Sequence, residues 1–177
     1  MRVGVFLPNW IGDVVMATPS LRALRKLAGS EGRLVGIMRP YVADVLAGLP
    51  WLDEKILYKP NATNEEHSWK SARQRLRPEH LDVVVLLTNS LRTAWMAWRS
   101  GAPERIGFAR DMRSWLLTKR LTLQRTGHRQ YATTPIDAYL QLAAAAGAAP
   151  DSSRRLELAT SLADEAAADA MWQRLKM

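Results

Sequence analysis

Asp13 is the residue whose neighbours best equip it for chemistry. It stands in the stretch LPNWIGDVVMATPSLRAL (7–24), where an apolar run gives way, through Gly12 and Asp13, to an amphipathic pattern. A carboxylate where a strand ends and a helix begins has two physical uses. It can accept a hydrogen bond from a helix N-terminal N–H, which stabilises the helix by about 1 kcal/mol. It can also face a bound hydroxyl and take its proton as a general base, provided that group comes within hydrogen-bond reach. Gly12 beside it would let the backbone take a positive φ or come close to a ligand. Asn9 and Trp10 precede Gly12 in the same turn, and Asn89 and Ser90 follow LDVVVLL much as Asp13 follows RVGVFL. Arg92, Arg110 and Arg113 are candidate anion ligands, since a guanidinium fork meets carboxylate or phosphate through paired hydrogen bonds. Trp10, Trp95, Trp98 and Trp115 could wall an apolar site, although the helical spacing of Trp95 and Trp98 assigns those two to the core.

Several chemistries are absent. There are no cysteines, so disulfides and thiolate metal sites are excluded, and His67, His80 and His128 are scattered without metal-ligand spacing. No G-x-G-x-x-G follows the first strand, no G-x-x-x-x-G-K-[ST] occurs, and no G-x-S-x-G elbow is present. The chain carries a net charge of +8, and residues 70–129 alone hold 13 Lys and Arg against four Asp and Glu, a net of +9. That excess suits either a solubilising surface or an anionic partner: nucleic acid, lipid headgroups, or a phosphorylated or carboxylated substrate. No apolar run approaches the roughly 18 residues of a spanning helix, and the first residues lack the apolar centre of a signal peptide, which leads us to expect a cytoplasmic protein.

The elements that must position these residues alternate. Strands are expected at 2–7, 33–38, 54–58, 81–87 and 104–108, and helices at 41–49, 67–77, 89–101 and 135–147. A helix is also expected from Asp13, kinked near Pro19, because apolar residues recur at Val14, Ala17, Leu21, Leu24 and Ala28. Residues 110–123 carry no clear pattern. After the linker-like PDSSRR come a short strand, LELA (156–159), and an Ala-rich helix (161–177). Strands and helices taking turns imply an α/β fold: a Rossmann-like parallel sheet with helices on both faces. The helix at 161–177 runs to the last residue without a cap, as expected either of a natural C-terminal helix or of a chain with a second domain to follow.

The stretch LPNWIGDVVMATPSLRALR resembles the amino-terminal signature of the ADP-heptose:lipopolysaccharide heptosyltransferases, a P-x-W-[IV]-G-D turn followed by an apolar helix. A second block, VVVLLTNSLRTAWMAWRSGAPERIGFARDMRSWLLTKRL (83–121), is similar to that family's second run, more so to the enzymes adding the second heptose than to those adding the first. The resemblance implies the amino-terminal half of a GT-B glycosyltransferase. Residues 1–150 would form the acceptor-binding domain, and 151–177 the linker and lead-in to a nucleotide-sugar domain beyond this chain, without which the chain should be inactive. It implies Asp13 as catalytic base, with Asn9, Trp10, Gly12, Asn89, Ser90, Arg92, Arg110 and Arg113 binding the acceptor. Relatives often carry Lys where Arg92 stands. The implied donor substrate is ADP-heptose, transferred with inversion and without metal or further cofactor. The implied partner is the anionic lipopolysaccharide core, with its Kdo carboxylates and lipid A phosphates, reached by peripheral contact with the inner face of the inner membrane. A related GT-B glycosyltransferase with another donor or acceptor is the near alternative. A basic nucleic-acid-binding module is the alternative of a different class, and no nucleic-acid motif accompanies it.

Overall fold

The computed structural model describes residues 1–59, 67–110, 112–123, 125–126, 130–131, 133–150 and 153–175. Short segments rich in Val, Ile and Leu become strands, the central ones apolar enough to be covered on both sides. These are β1 (Arg2–Phe6), β2 (Arg33–Met38), β3 (Glu54–Leu57), β4 (Val83–Leu86) and β5 (Glu104–Phe108). Together with β6 (Lys119–Leu121) they form one parallel sheet in the order β3-β2-β1-β4-β5-β6. Val5 lies opposite Gly36 on one side and Val85 on the other, so β1 and β4 run side by side at the centre.

Alternation along the strands divides the core in two. Val3, Val5, Val83 and Val85 pack with residues of α1 (Ile11–Met16), α2 (Thr18–Ala28) and α6 (Pro135–Ala145), among them Leu21, Leu24 and Leu142. Phe6, Val84 and Leu86 point the other way, onto Ala72 and Leu76 of α4 (Trp69–Leu76) and Ala94, Met96 and Ala97 of α5 (Leu91–Arg99). Each fully buried Val, Leu or Phe contributes about 1.5–3 kcal/mol relative to exposure, so both layers are needed to hold the sheet.

Three expectations need correction. The first helix starts earlier, at Ile11, and there are two helices rather than one with a kink. The two meet at Ala17, which keeps right-handed helical angles (φ −84°, ψ −9°), and Pro19 falls in the first turn of α2, where its missing N–H leaves no bond unmade. Residues 156–159 form no strand. The N–H of Glu157 donates instead to Thr18 Oγ1 at 3.1 Å, the Glu157 carboxylate pairs with Arg22, and Arg22 also reaches the Ser153 carbonyl at 2.9 Å. The main chain there is tied to side chains of α2, which leaves it unavailable for a ladder. The segment expected as a helix over 41–49 is α3 (Pro40–Ala43) followed by a 3-10 turn at Asp44–Leu46.

The unassigned stretch resolves into a 3-10 turn at Ser114–Leu116 and strand β6, after which β7 (Arg125–Thr126) and β8 (Gln130–Tyr131) pair antiparallel. The last helix, α7 (Leu162–Leu175), buries none of its residues, and Ser161 accepts at its start from the N–H of Asp164 at 3.2 Å. Residues 176–177 lie outside the described residues. No helix among the described residues is long and apolar enough to cross a membrane.

Candidate active site at the centre of the sheet

The strand order reverses direction between β1 and β4, and in open parallel sheets the crevice outside the carboxyl ends of the strands at such a point is where ligands bind. The turns leaving β1 and β4 carry Asn9 to Asp13 and Thr88 to Ser90, so the topology brings both sequence candidates to one crevice.

Asp13 is the third residue of α1, in its acidic first turn, and is half-buried. It does not act as a cap: the residue preceding the helix is Trp10, and α1 has no side-chain cap hydrogen bond. Among the described residues, no main-chain or side-chain group donates a hydrogen bond to the Asp13 carboxylate. The first of its two possible uses is therefore not the one realised. Its carboxylate is close enough to Tyr139 of α6 to act on it: the phenol is pushed well above its ordinary range, chiefly by burial and further by the negative charge of Asp13. Tyr139 is thus a neutral hydroxyl beside the carboxylate. Its main-chain carbonyl accepts from Ser20 Oγ at 3.0 Å, which ties α6 to α2.

The turn around Asp13 is braced from the neighbouring strand. Arg39, at the end of β2, donates from Nε to Asn9 Oδ1 at 2.8 Å, and the Tyr41 hydroxyl donates to the Asn9 carbonyl. Asn9 accordingly holds the turn's shape. Trp10, 77% exposed, projects from it. Gly12 does not need a positive φ, since it lies inside α1, and a Cβ built there meets nothing within 4 Å. The space beside it is open, which leaves room for close approach of a ligand.

Across the crevice, Ser90 caps α5 by accepting from the N–H of Thr93 at 3.2 Å, and Thr93 Oγ1 lies 2.7 Å from Thr88 Oγ1. Arg113 is fully buried. Its Nη1 donates to the Thr88 carbonyl at 2.6 Å, its Nη2 to Asn89 Oδ1 at 3.1 Å, and both Nε and Nη2 to the Phe108 carbonyl at 3.2 and 3.1 Å. Arg113 is therefore not the exposed anion ligand expected from sequence. It clamps the ends of β4 and β5 together and aims Asn89, and a Cβ at Gly107 would stand only 3.2 Å from its Nη2.

Asn89 and Arg110 line the same hollow of about 150 Å³, closed by Leu87, Phe108, Leu123 and Tyr139. Asp13, Tyr139, Asn89 and Arg110 are thus gathered about the ends of the central strands. Arg92, in the first turn of α5, has its guanidinium 5.4 Å from the centre of the Trp69 ring and close enough to Tyr58 to act on it electrostatically, as Arg39 does. Trp95 and Trp98, assigned to the core from their spacing, are 40% and 45% exposed, and Trp115 is 70% exposed. Larger hollows of about 620 and 450 Å³ lie along α5, lined in part by Trp98 and Trp95 respectively, and neither is lined by a carboxylate. No group of three or more His, Asp or Glu among the described residues is arranged to hold a metal ion. Tyr139, Arg39 and Tyr41 were not singled out from sequence. Arg39 carried a usable signal, since it follows a strand just before Pro40, where a ligand-side turn is expected.

The comparisons agree with this architecture. A solved glycosyl transferase of family 9 from Veillonella parvula matches 99% of the chain with a TM-score of 0.79 at 22% identity. The Escherichia coli ADP-heptose lipopolysaccharide heptosyltransferase II matches 97% with a TM-score of 0.72 at 19% identity. An E. coli heptosyltransferase solved with ADP-2-deoxy-2-fluoro heptose matches 86% with a TM-score of 0.69 at 16% identity. The chain spans about half the length of each, 49–50%. No curated protein sequence matches. At these identities the solved structures establish the fold, the Rossmann-like half of a GT-B architecture. The family model described as glycosyltransferase family 9 (heptosyltransferase) matches residues 69–176, a segment that holds Asn89, Ser90, Arg92, Arg110 and Arg113 but begins after Asp13. That segment is more than half of the chain, and the chain belongs to glycosyltransferase family 9, the heptosyltransferases.

Proposed function

We propose that this chain is the acceptor-side domain of an inverting heptosyltransferase, which moves heptose from ADP-L-glycero-D-manno-heptose to the inner core of lipopolysaccharide. The observation that carries the reading is the Asp13 carboxylate at the centre of the sheet, without a hydrogen-bond donor among the described residues. A free carboxylate beside an open crevice suits direct displacement. The acceptor oxygen forms its bond to the anomeric carbon as the bond from that carbon to the leaving phosphate oxygen breaks. The hydroxyl proton passes to Asp13, and the electron pair departs with ADP. One base suffices for this, whereas glycoside hydrolysis wants a second carboxylate across the scissile bond.

Tyr139 keeps its proton and would serve as a hydrogen-bond partner near the reacting hydroxyl. Arg110 and Asn89 offer a cation and an amide to the acceptor's carboxylates or phosphates. Two of the solved relatives are heptosyltransferases, one of them holding an ADP-heptose analogue, which favours this donor. Residues 1–150 would bind the acceptor, and 151–177 would lead into the nucleotide-sugar half. The basic excess would favour contact with the inner face of the inner membrane.

The test is donor and acceptor profiling of the enzyme that carries this domain together with its nucleotide-sugar half. ADP-heptose with a Kdo-bearing lipid A acceptor should be turned over at least about a hundredfold better than other nucleotide sugars or uncharged acceptors. Preference for another donor would replace the substrate assignment with that of a relative in the same family.

A further inference from the structure

The outer side of α5 repeats one pattern along its length. Leu91, Arg92, Trp95, Trp98 and Arg99 follow at helical spacing and all are exposed. Arg99 lies 5.8 Å from the ring centres of both Trp95 and Trp98, and Arg92 covers Trp69 of α4. Between α5 and the 114–116 turn runs a hollow of about 450 Å³ lined by Leu91, Arg92, Trp95, Trp115 and Leu116, almost entirely apolar. Met112, 89% exposed, stands in the loop before that turn. At the other end of α5, Arg73 and Arg77 join Trp98 and Arg99 around the hollow of about 620 Å³. Neither α4 nor α5 contains an Asp or Glu.

From this geometry we infer that the α4–α5 face is a docking surface for an anionic phospholipid bilayer. Tryptophan rings with a wet edge and an apolar body settle at the boundary between headgroups and acyl chains, and arginines beside them meet lipid phosphates while their stems lie along apolar surface. Charge complementarity selects the occupant: among the described residues Arg73, Arg77, Arg92 and Arg99 line this face, and neither helix supplies an acid to offset them, so it attracts a negative surface and repels a basic one. Nucleic acid would use the cations and could stack on the rings, but the exposed Leu91 and Met112 would gain nothing from it. The placement has a functional consequence. Ser90, at the edge of the crevice, is followed directly by Leu91 and Arg92, so a bilayer held on this face would lie next to the candidate active site.

The inference rests on the proposed function only for why a lipid-borne acceptor is useful there, and its test is separate. The chain is sedimented at near-physiological salt with vesicles of phosphatidylcholine alone, or with one-third phosphatidylglycerol. Binding should be at least about tenfold stronger to the anionic vesicles. The variants Trp95→Ser with Trp115→Ser, and Arg92→Glu with Arg99→Glu, should each lose about tenfold or more, with circular dichroism confirming that each is folded. Equal binding to both vesicle types, binding of either folded variant at the wild-type level, or displacement from vesicles by a single-stranded oligonucleotide would overturn the docking surface. A vesicle-binding chain whose enzyme keeps full turnover as Asp13→Asn would overturn the catalytic reading and leave this face standing.

Discussion

The two sides of the sheet use arginine in opposite ways. On the α2–α6 side, Arg22 pairs with Glu157 and binds the Ser153 carbonyl, and Arg25 pairs with Asp53, which in turn accepts from the N–H of Leu34 at 2.6 Å. These cations fasten the chain to itself. On the α4–α5 side, Arg75 pairs with Glu54 at 2.7 Å, whereas Arg92 and Arg99 rest on tryptophan rings and face outward. The lesson is that net charge counted along a sequence does not say what the charge is for. Among the described residues, the cations of 70–129 include a buried clamp, an ion pair at the sheet edge, and a stripe open to a partner.

The sharpest way to break this division is at Arg113, which is buried completely. Arg113→Met should cost on the order of 3 to 5 kcal/mol in urea unfolding, because the carbonyls of Thr88 and Phe108 lose their donor in a dry site. Arg113→Lys should recover little of it, since a single ammonium cannot reproduce the fork. A loss below about 1 kcal/mol would mean that the clamp does not hold the ends of β4 and β5.

A second test concerns the stack under Arg92. Tyr58 packs against Trp69 at 4.7 Å between ring centres, and burial raises its pKa from 10.0 to about 12. A phenol raised in the folded state stays neutral there while the unfolded chain ionises. Stability from this group is therefore complete below about pH 10 and lost as pH climbs toward about 12. Tyr58→Phe should remove a pH-dependent loss on the order of 2 kcal/mol across that window in chemical denaturation at graded pH. An unchanged slope would show that the Tyr58–Trp69 layer is wet.

The smallest effects separate the two sides most directly. Arg22→Ala should lower stability by about 1 kcal/mol or less, and the loss should shrink with added salt. Arg99→Ala should stay within about 0.5 kcal/mol, because its guanidinium touches only exposed rings. Matching losses in the two variants would erase the distinction.

Much of this fold was legible because its central strands are short apolar runs, β4 a continuous one of Val and Leu, and a covered parallel sheet has few other ways to read. The crevice was legible for a related reason. Asp13 and Asn89 each follow such a run, and topology then places the ends of β1 and β4 together. Arg113 was misread because the clamp forms across a tertiary gap, between residues about twenty-five apart that local pattern does not connect. Trp95 and Trp98 were misread because helical spacing says that two residues share a face, and only packing says which face is buried. Tyr139 was missed because nothing in PIDAYLQLA announces that α6 turns this side chain toward Asp13. The expected strand at 156–159 failed because its backbone found side-chain partners on α2.

The central claim is that Asp13 takes the proton of the acceptor hydroxyl, and single-turnover transfer by the Asp13→Asn enzyme measures it most directly. The account predicts a fall of at least about a hundredfold in the transfer rate, with ADP-heptose binding and fold unchanged. A rate within about tenfold of wild type would contradict it.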